Sequence, residues 1–232
     1  MNILALDTSM GACGVAVLRA DSRARALFAR EVRMARGHAE ALMPMLAVVM
    51  QEAALGFDAL DRIAATLGPG SFTGVRIAIA AARGLALVTK AHLWGTDSLT
   101  VMARTALASG IGQAGEPFAV AVDARAGQLY FGLYSADGRK LAGPSLLAPG
   151  EAAELLPADL RFAVGSGAAR LAEAALAREL KIEARLPELE PSASALAELA
   201  SETDESLPTL HPLYLRPADA KPQAAAAIVR KS

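Results

Sequence analysis

The sequence predicts an α/β protein of two related lobes, and three observations support this prediction. Short apolar strands alternate with helical segments along the 232 residues. A strand, an aspartate, a small-residue turn and a second strand open the chain and recur from residue 118. A glycine-rich polar stretch at 110–117 separates the two occurrences. We therefore predict a duplicated module of a β-meander followed by helices, with lobes at 1–109 and 110–216 and a disordered tail at 217–232.

The first predicted lobe begins with three antiparallel strands joined by polar turns, the first at Asp7–Ser9 and the second at Asp21-Ser22. The strands are 3–6, 14–18 and 26–32. Helical periodicity then predicts a helix over 38–55 that ends near Gly56. The remaining elements are a strand over 62–67, a glycine-rich loop over 68–74, a helix over 75–89, a strand over 93–95 and a helix over 98–107 with Ser98 as its N-cap.

The second predicted lobe repeats this order. Strands over 118–122 and 128–134 are followed by Asp137-Gly138, the strongest hairpin signal in the chain, and by a third strand from Leu141. The remaining elements are a helix from residue 151, a strand over 161–164 leading into Gly165-Ser166-Gly167, a helix over 168–180 and a short helix from about residue 194.

Composition excludes several classes of protein. With 53% hydrophobic but only 4% aromatic residues, the chain suits closely packed helices more than bulky ligand pockets. The net charge of −1 disfavours nucleic-acid binding by the isolated chain. One cysteine, Cys13, excludes an internal disulfide and a cysteine-rich zinc site. We expect a cytoplasmic protein, because the start lacks a basic leader region and no uncharged apolar run reaches about 18 residues.

The sharpest local motif is the glycine-rich loop between a strand and a helix. Backbone amides at such a position can bind phosphate, yet the spacing matches neither standard nucleotide motif. A structural turn capped by a hydroxyl is the alternative, and from spacing alone we favour it. The candidate residues for either role are Gly68, Gly70, Ser71, Thr73, Gly74 and Arg76.

Asp7, with Thr8 and Ser9, ends the first strand, and Asp123, near Arg125, ends the equivalent strand of the second lobe. Two aspartates that face one cleft can serve a Mg²⁺-nucleotide site. Aspartates also commonly cap their own turns, and taken alone we favour that explanation.

Two predicted helices have more apolar surface than one packing face requires. We weigh two explanations equally: a surface for a partner helix, or a three-layer lobe that buries both faces. The candidate partner interface consists of these surplus apolar positions and of Arg83, which shares one stripe of its helix with Arg76 and Lys90. Its residues are Met43, Ala47, Met50, Ala78, Ala82, Arg83 and Ala86.

Four blocks make the chain resemble the TsaB (YeaZ) family from Met1 to about Arg216. In order they are strand-Asp7-Thr8-Ser9, Gly68-Pro69-Gly70-Ser71-Phe72-Thr73-Gly74-Val75-Arg76, Val122-Asp123-Ala124-Arg125 and Tyr214-Leu215-Arg216. The second block is highly specific. The resemblance implies an actin/Hsp70/sugar-kinase-like (ASKHA) fold of two related lobes, which agrees with the duplication.

The same resemblance implies a role in forming N6-threonylcarbamoyladenosine in tRNAs that read codons starting with A. It implies a non-catalytic subunit that dimerises with the TsaD paralogue through first-lobe helices and activates it, while the TsaE ATPase supports the cycle. It further implies a possible homodimer when alone and contact with tRNA only through the complex. We expect no catalytic residue, no metal and no cofactor in this chain, with ATP/ADP used by the complex.

Two other classes are weighed against the scaffold. A nucleotide-binding kinase or ATPase of the same fold would use Asp7 and Asp123, but the turns after the first strands lack strong phosphate loops. A metallopeptidase would need paired metal ligands, whereas the three histidines, at positions 38, 92 and 211, are scattered.

Overall fold

A computed structural model describes residues 1–20, 24–112 and 115–215. The predicted Asp21-Ser22 turn, Arg216 and the predicted tail at 217–232 lie outside the described residues. The first sheet has five strands in the order β3-β2-β1-β4-β5, with β2 and β3 antiparallel to their neighbours and β1, β4 and β5 parallel. Its strands are β1 (Asn2–Asp7), β2 (Ala12–Ala20), β3 (Arg25–Arg33), β4 (Arg62–Thr66) and β5 (His92–Thr96).

The second sheet repeats this topology. Its order is β10-β9-β6-β7-β8, and the strands at the same places in the chain have the same directions. Its strands are β6 (Phe118–Asp123), β7 (Leu129–Tyr134), β8 (Lys140–Leu147), β9 (Phe162–Val164) and β10 (Glu183–Arg185). The predicted two-lobed ASKHA-like fold built from a duplicated module is confirmed.

Six α-helices cover the two sheets in the described residues: α1 (His38–Glu52), α2 (Phe72–Thr89), α3 (Ser98–Ala108), α4 (Pro149–Glu154), α5 (Ala168–Ala175) and α6 (Ala193–Ser201). The predicted N-cap of α3 is wrong by one residue. The Asp97 side chain accepts from the Thr100 amide at 2.9 Å and is the N-cap, whereas Ser98 is buried inside the first turn.

Two helices pack across the predicted lobe boundary, each against the sheet of the other lobe. Helix α3 contributes Leu99 and Met102 to a core cluster with Phe118 and Tyr134 of the second sheet. Helix α6 packs on β1, β2 and β4 of the first sheet, where Leu196 is fully buried. The lobe boundary near residue 110 stays a prediction. Each of these two helices packs on the sheet of the other predicted lobe, so the two helices connect the lobes.

Helix α2 lies on the first sheet and presents small side chains to it. Gly74, Val75, Ala78, Ile79 and Ala82 are buried against β1, β4 and β5. Among the described residues, α2 is the helix whose length and composition would allow it to cross a membrane, and 28% of its span is buried. A helix that covers a sheet passes the same test, so the finding is weak by itself.

Candidate functional site

The glycine-rich loop between β4 and α2 packs directly on the end of β1. The Ser71 amide donates to the Ser9 carbonyl at 2.7 Å, and the Thr8 hydroxyl donates to the Gly74 carbonyl at 2.6 Å. The Ser71 hydroxyl accepts from the Gly74 amide at 3.2 Å and caps α2. Two of the amides that could bind a phosphate here, those of Ser71 and Gly74, are therefore engaged inside the protein.

The glycines of this loop permit that contact. A Cβ at Gly70 would lie under 3.0 Å from the Ser9 carbonyl oxygen, and one at Gly74 would lie equally close to the Thr8 carbonyl oxygen. Gly68 has φ +99°, a left-handed conformation that favours glycine. These positions need glycine for close backbone approach, which is the structural explanation that the spacing favoured.

Asp7 is buried at the end of β1. It is 1% exposed, and Oδ1 accepts from the Ser9 hydroxyl at 2.7 Å, from the Ser9 amide at 3.4 Å and from the Thr66 hydroxyl. Burial raises the pKa of this carboxyl from 3.8 to about 6, although the hydrogen bonds from Thr66 and Ser9 oppose the rise. Thr8 and Ser9 are also fully buried, so this turn presents no side chain to the cleft between the lobes.

Asp123 has the opposite environment. Its side chain is 47% exposed, and Oδ1 accepts from Arg170 at 2.8 Å. Its amide donates to the Ser166 hydroxyl at 3.0 Å, within the Gly165-Ser166-Gly167 turn. Asp123 lines the interlobe cleft while Asp7 does not, so the structure does not bring the two carboxylates together.

The interlobe cleft has a volume of about 1430 Å³. Of the residues proposed from sequence, those that line it are Gly70, Ser71, Thr73, Arg76, Asp123 and Arg125. Gly68, Gly74 and the Asp7–Ser9 turn lie behind this surface. In the described residues, no group of three or more His, Cys, Asp or Glu could hold a metal ion.

Sequence reasoning missed an aromatic stack at the cleft wall. The Phe72 and Tyr214 rings stack with centroids 5.8 Å apart, and the Arg76 guanidinium carbon lies 3.2 Å from the Phe72 centroid and 5.1 Å from the Tyr214 centroid. The sequence did contain a signal for this pair, because Phe72 and Tyr214 each belong to one of the four motif blocks. Their meeting depends on the segment after α6, where the Leu213 amide donates to the Leu67 carbonyl.

The proposed partner interface divides into buried and accessible positions. Met50, Ala78 and Ala82 are buried in the first-lobe core, because small residues let α2 approach the sheet closely. These three do not offer side chains to a partner. The remaining residues are exposed or half-buried: Met43, Ala47, Arg83 and Ala86.

The exposed apolar side chains of α1 and α2 extend beyond these positions. Val48 is 39% exposed, Leu87 76% and Val88 83%. Leu87 and Val88 are large apolar residues near the end of α2 whose side chains point to solvent. Helical periodicity alone could not separate them from the core face, because α2 is apolar almost all round.

Comparisons with known proteins agree with the predicted family. A family model described as TsaD, tRNA N6-adenosine threonylcarbamoyltransferase, matches residues 32–206. The tRNA threonylcarbamoyladenosine biosynthesis protein TsaB of Haemophilus influenzae is 32% identical over 178 residues, which is 72% of each chain. The Escherichia coli protein of the same description is 34% identical over 137 residues, or 59% of this chain and 56% of the relative.

Two solved structures from Pseudomonas aeruginosa are also similar. One is an uncharacterised protein with similarity to the peptidase YEAZ, with a TM-score of 0.79 at 32% identity. The matched region covers 93% of this chain and 99% of that protein's chain. The other is YeaZ, with a TM-score of 0.73 at 32% identity. The matched region covers 87% of this chain and 92% of the YeaZ chain.

Proposed function

This chain belongs to the TsaB (YeaZ) family of tRNA threonylcarbamoyladenosine biosynthesis proteins, and we propose that it is a non-catalytic subunit that binds and activates a TsaD transferase. The complex then modifies tRNAs that read codons starting with A, with the TsaE ATPase as a further partner. The chain works in the cytoplasm and needs no cofactor of its own, while the complex uses ATP/ADP. When alone, it pairs with a second copy through the same helices.

The observation that best supports a non-catalytic role is the burial of Asp7. A phosphoryl-transfer enzyme needs carboxylates and backbone amides that reach the bound phosphates. Here the Asp7 carboxylate is buried, and the amides of Ser71 and Gly74 bond within the protein. These two observations argue against the kinase-like alternative, and titration of the chain with ATP·Mg²⁺ tests it directly.

The exposed apolar side chains of α1 and α2 support a helical partner surface. A soluble protein rarely leaves several large apolar side chains together on two adjacent helices unless a partner covers them. Met43, Val48, Leu87 and Val88 are between 39% and 83% exposed, and α1 packs beside α2. A TsaD-like chain with a similar pair of helices would bury these side chains.

The test uses charges at exposed positions on this surface. We expect Val88→Glu and Met43→Glu to abolish co-purification with TsaD and to reduce tRNA modification by the pair, because each places a charge in an apolar interface. The matched control is Leu176→Glu, since Leu176 is 60% exposed in the second lobe. A substitution at Ala82 is unsuitable because this residue is fully buried and a charge there would unfold the chain.

Circular dichroism and gel filtration of each variant alone would establish that it folds. Folded Val88→Glu and Met43→Glu variants that still bind and activate TsaD as Leu176→Glu does would overturn the proposed interface.

A further inference from the structure

The charges that line the interlobe cleft are partnered unequally. Two of its three acidic side chains pair with arginines, Asp123 with Arg170 and Glu188 with Arg33 at 2.8 Å, and the third, Glu190, accepts from the backbone amide of Gly11 at 3.0 Å. Its two arginines, Arg76 and Arg125, have no carboxylate partner within residues 1–20, 24–112 and 115–215. The cleft therefore offers two uncompensated guanidinium groups although the whole chain has a net charge of −1.

The aromatic stack beside Arg76 is unusually accessible. Phe72 is 64% exposed and Tyr214 is 49% exposed, and Arg76 lies against both rings. Proteins recognise single-stranded RNA chiefly by stacking unpaired bases on exposed aromatic rings and guanidinium planes. An exposed platform of this composition, in a cleft that also holds two arginines without a carboxylate partner among the described residues, fits such a strand.

The chemistry of the modified base requires an unpaired substrate. The threonylcarbamoyl group is attached to N6 of adenine, and in a duplex N6 donates a hydrogen bond to the opposite base. A tRNA must therefore present this adenosine within a single-stranded segment, whose neighbouring bases and phosphates are free for other contacts.

We propose that Phe72, Arg76 and Tyr214 stack an unpaired base of the substrate tRNA, and that Arg125 contacts a phosphate of the same strand. This inference rests on the proposed role in tRNA modification. The contact is weak for the isolated chain, since one platform and few cations replace the basic stripe of a dedicated RNA-binding protein. It contributes within the complex with TsaD, where the bound tRNA is held at high effective concentration.

The experiment measures tRNA affinity of the heterodimer with TsaD by fluorescence anisotropy, using unmodified tRNA that reads an A-starting codon. We expect Tyr214→Leu and Phe72→Leu to weaken binding at least about 5-fold, because each removes a stacking ring and keeps an apolar side chain. The matched control is Phe57→Leu, because Phe57 is 39% exposed and lies outside the cleft. An unstructured RNA should compete with the tRNA better than a perfect RNA duplex.

Arg125 is tested by salt dependence. We expect Arg125→Gln to lower the slope of log affinity against log salt by about 0.7, the value for one contact to a single strand. Arg36→Gln is the control, because Arg36 is exposed and outside the cleft. Equal slopes for the two variants would remove Arg125 from the proposal.

Two results would overturn the inference. One is a Tyr214→Leu heterodimer that binds tRNA as tightly as the Phe57→Leu heterodimer. The other is dissociation of the heterodimer by Tyr214→Leu, which would make the platform a protein contact. If TsaD modifies tRNA equally well without this chain, the proposed function fails instead, so the two failures are distinguishable.

Discussion

The two lobes end their first strands in the same residue type but give it opposite environments. In the first lobe the connection from β4 to α2 covers residues 67–71 and bonds to the Ser9 carbonyl, and Asp7 is only 1% exposed. In the second lobe the connection from β9 to α5 covers only 165–167, and the Asp123 side chain stays 47% exposed beside Arg170.

This difference shows that a repeated sequence element does not carry a repeated role. Gly70 of the longer connection and Gly74 of the first turn of α2 bring their backbone against the Ser9 and Thr8 carbonyls, and the amides of Ser71 and Gly74 bond within the protein. In the first lobe the turn after β1 is buried, whereas in the second lobe Asp123 and Ser166 line the cleft. Substitutions at equivalent positions in the two lobes can separate these roles.

The largest effect is expected at two glycines that pack near the ends of β1 and β6. A Cβ at Gly74 would meet the Thr8 carbonyl oxygen, which is backbone, so Gly74→Ala must displace α2 from β1. We expect a loss of more than about 3 kcal/mol in the free energy of unfolding. In Gly167→Ala the closest atom is Leu129 Cδ2 at 2.6 Å, a flexible side-chain end. The nearest backbone atoms, Asp123 N and Val122 C, lie farther away at 3.2 Å, so the expected loss is smaller, about 1 to 2 kcal/mol.

Urea denaturation of both glycine variants at pH 7 measures this difference. Equal losses would show that the contact between the loop and β1 is no more rigid than its counterpart in the second lobe.

The next effect is the pH dependence that Asp7 contributes. In the folded chain the carboxyl keeps its proton up to a pKa of about 6, whereas in the unfolded chain it ionises near 3.8. Folding therefore takes up a proton between these values, and the stability due to Asp7 falls as pH rises from about 4 to about 6 and is constant above. The pKa difference corresponds to about 3 kcal/mol for this buried group.

Asp7→Asn cannot ionise, so it isolates this contribution. We expect the free energy of unfolding of Asp7→Asn to rise by about 2 to 3 kcal/mol relative to the unsubstituted chain between pH 4 and pH 7. Urea denaturation of both chains at several pH values measures this difference. The other titrating groups are the same in both chains, so their contributions to the free energy of unfolding cancel. A difference that does not change with pH would contradict the buried environment of Asp7.

The smallest effect is expected at the exposed aspartate. Asp123→Ala removes an ion pair with Arg170 between two partly exposed side chains, which water and salt screen. We expect a loss of less than about 1 kcal/mol at pH 7, measured by urea denaturation, and an even smaller loss in 0.5 M salt. A large loss that salt does not reduce would mean that Asp123 supports the fold as Asp7 does.

Much of the fold follows from sequence patterns. The strand-Asp-turn repeat predicted the duplication, and short apolar runs bounded by turn residues predicted every described strand except β10, because these signals are local. The N-cap of α3 was displaced from Ser98 to Asp97, since both residues can cap and only the backbone geometry chooses. The packing of α3 on the second sheet and of α6 on the first depends on long-range contacts that no local pattern encodes.

The site was harder to predict than the fold. Spacing favoured a structural role for the glycines, and their contacts with Thr8 and Ser9 explain it. The burial of Ala78 and Ala82 was not predicted, because alanine suits equally a partner surface and a close approach to a sheet. The Phe72–Tyr214 stack joins residues far apart in the chain, so only the fold reveals it.

The central claim is that this chain is needed for tRNA modification but performs no chemistry. Its most direct test is reconstitution of N6-threonylcarbamoyladenosine formation from purified TsaD, TsaE, the enzyme that supplies the threonylcarbamoyl group, tRNA, threonine, bicarbonate and ATP. The chain is omitted, added unsubstituted, or added as the folded double variant Asp7→Asn/Asp123→Asn. We predict little product without the chain and equal rates with the other two preparations. Equal product without the chain, or a double variant that binds TsaD normally and supports no modification, would contradict the account.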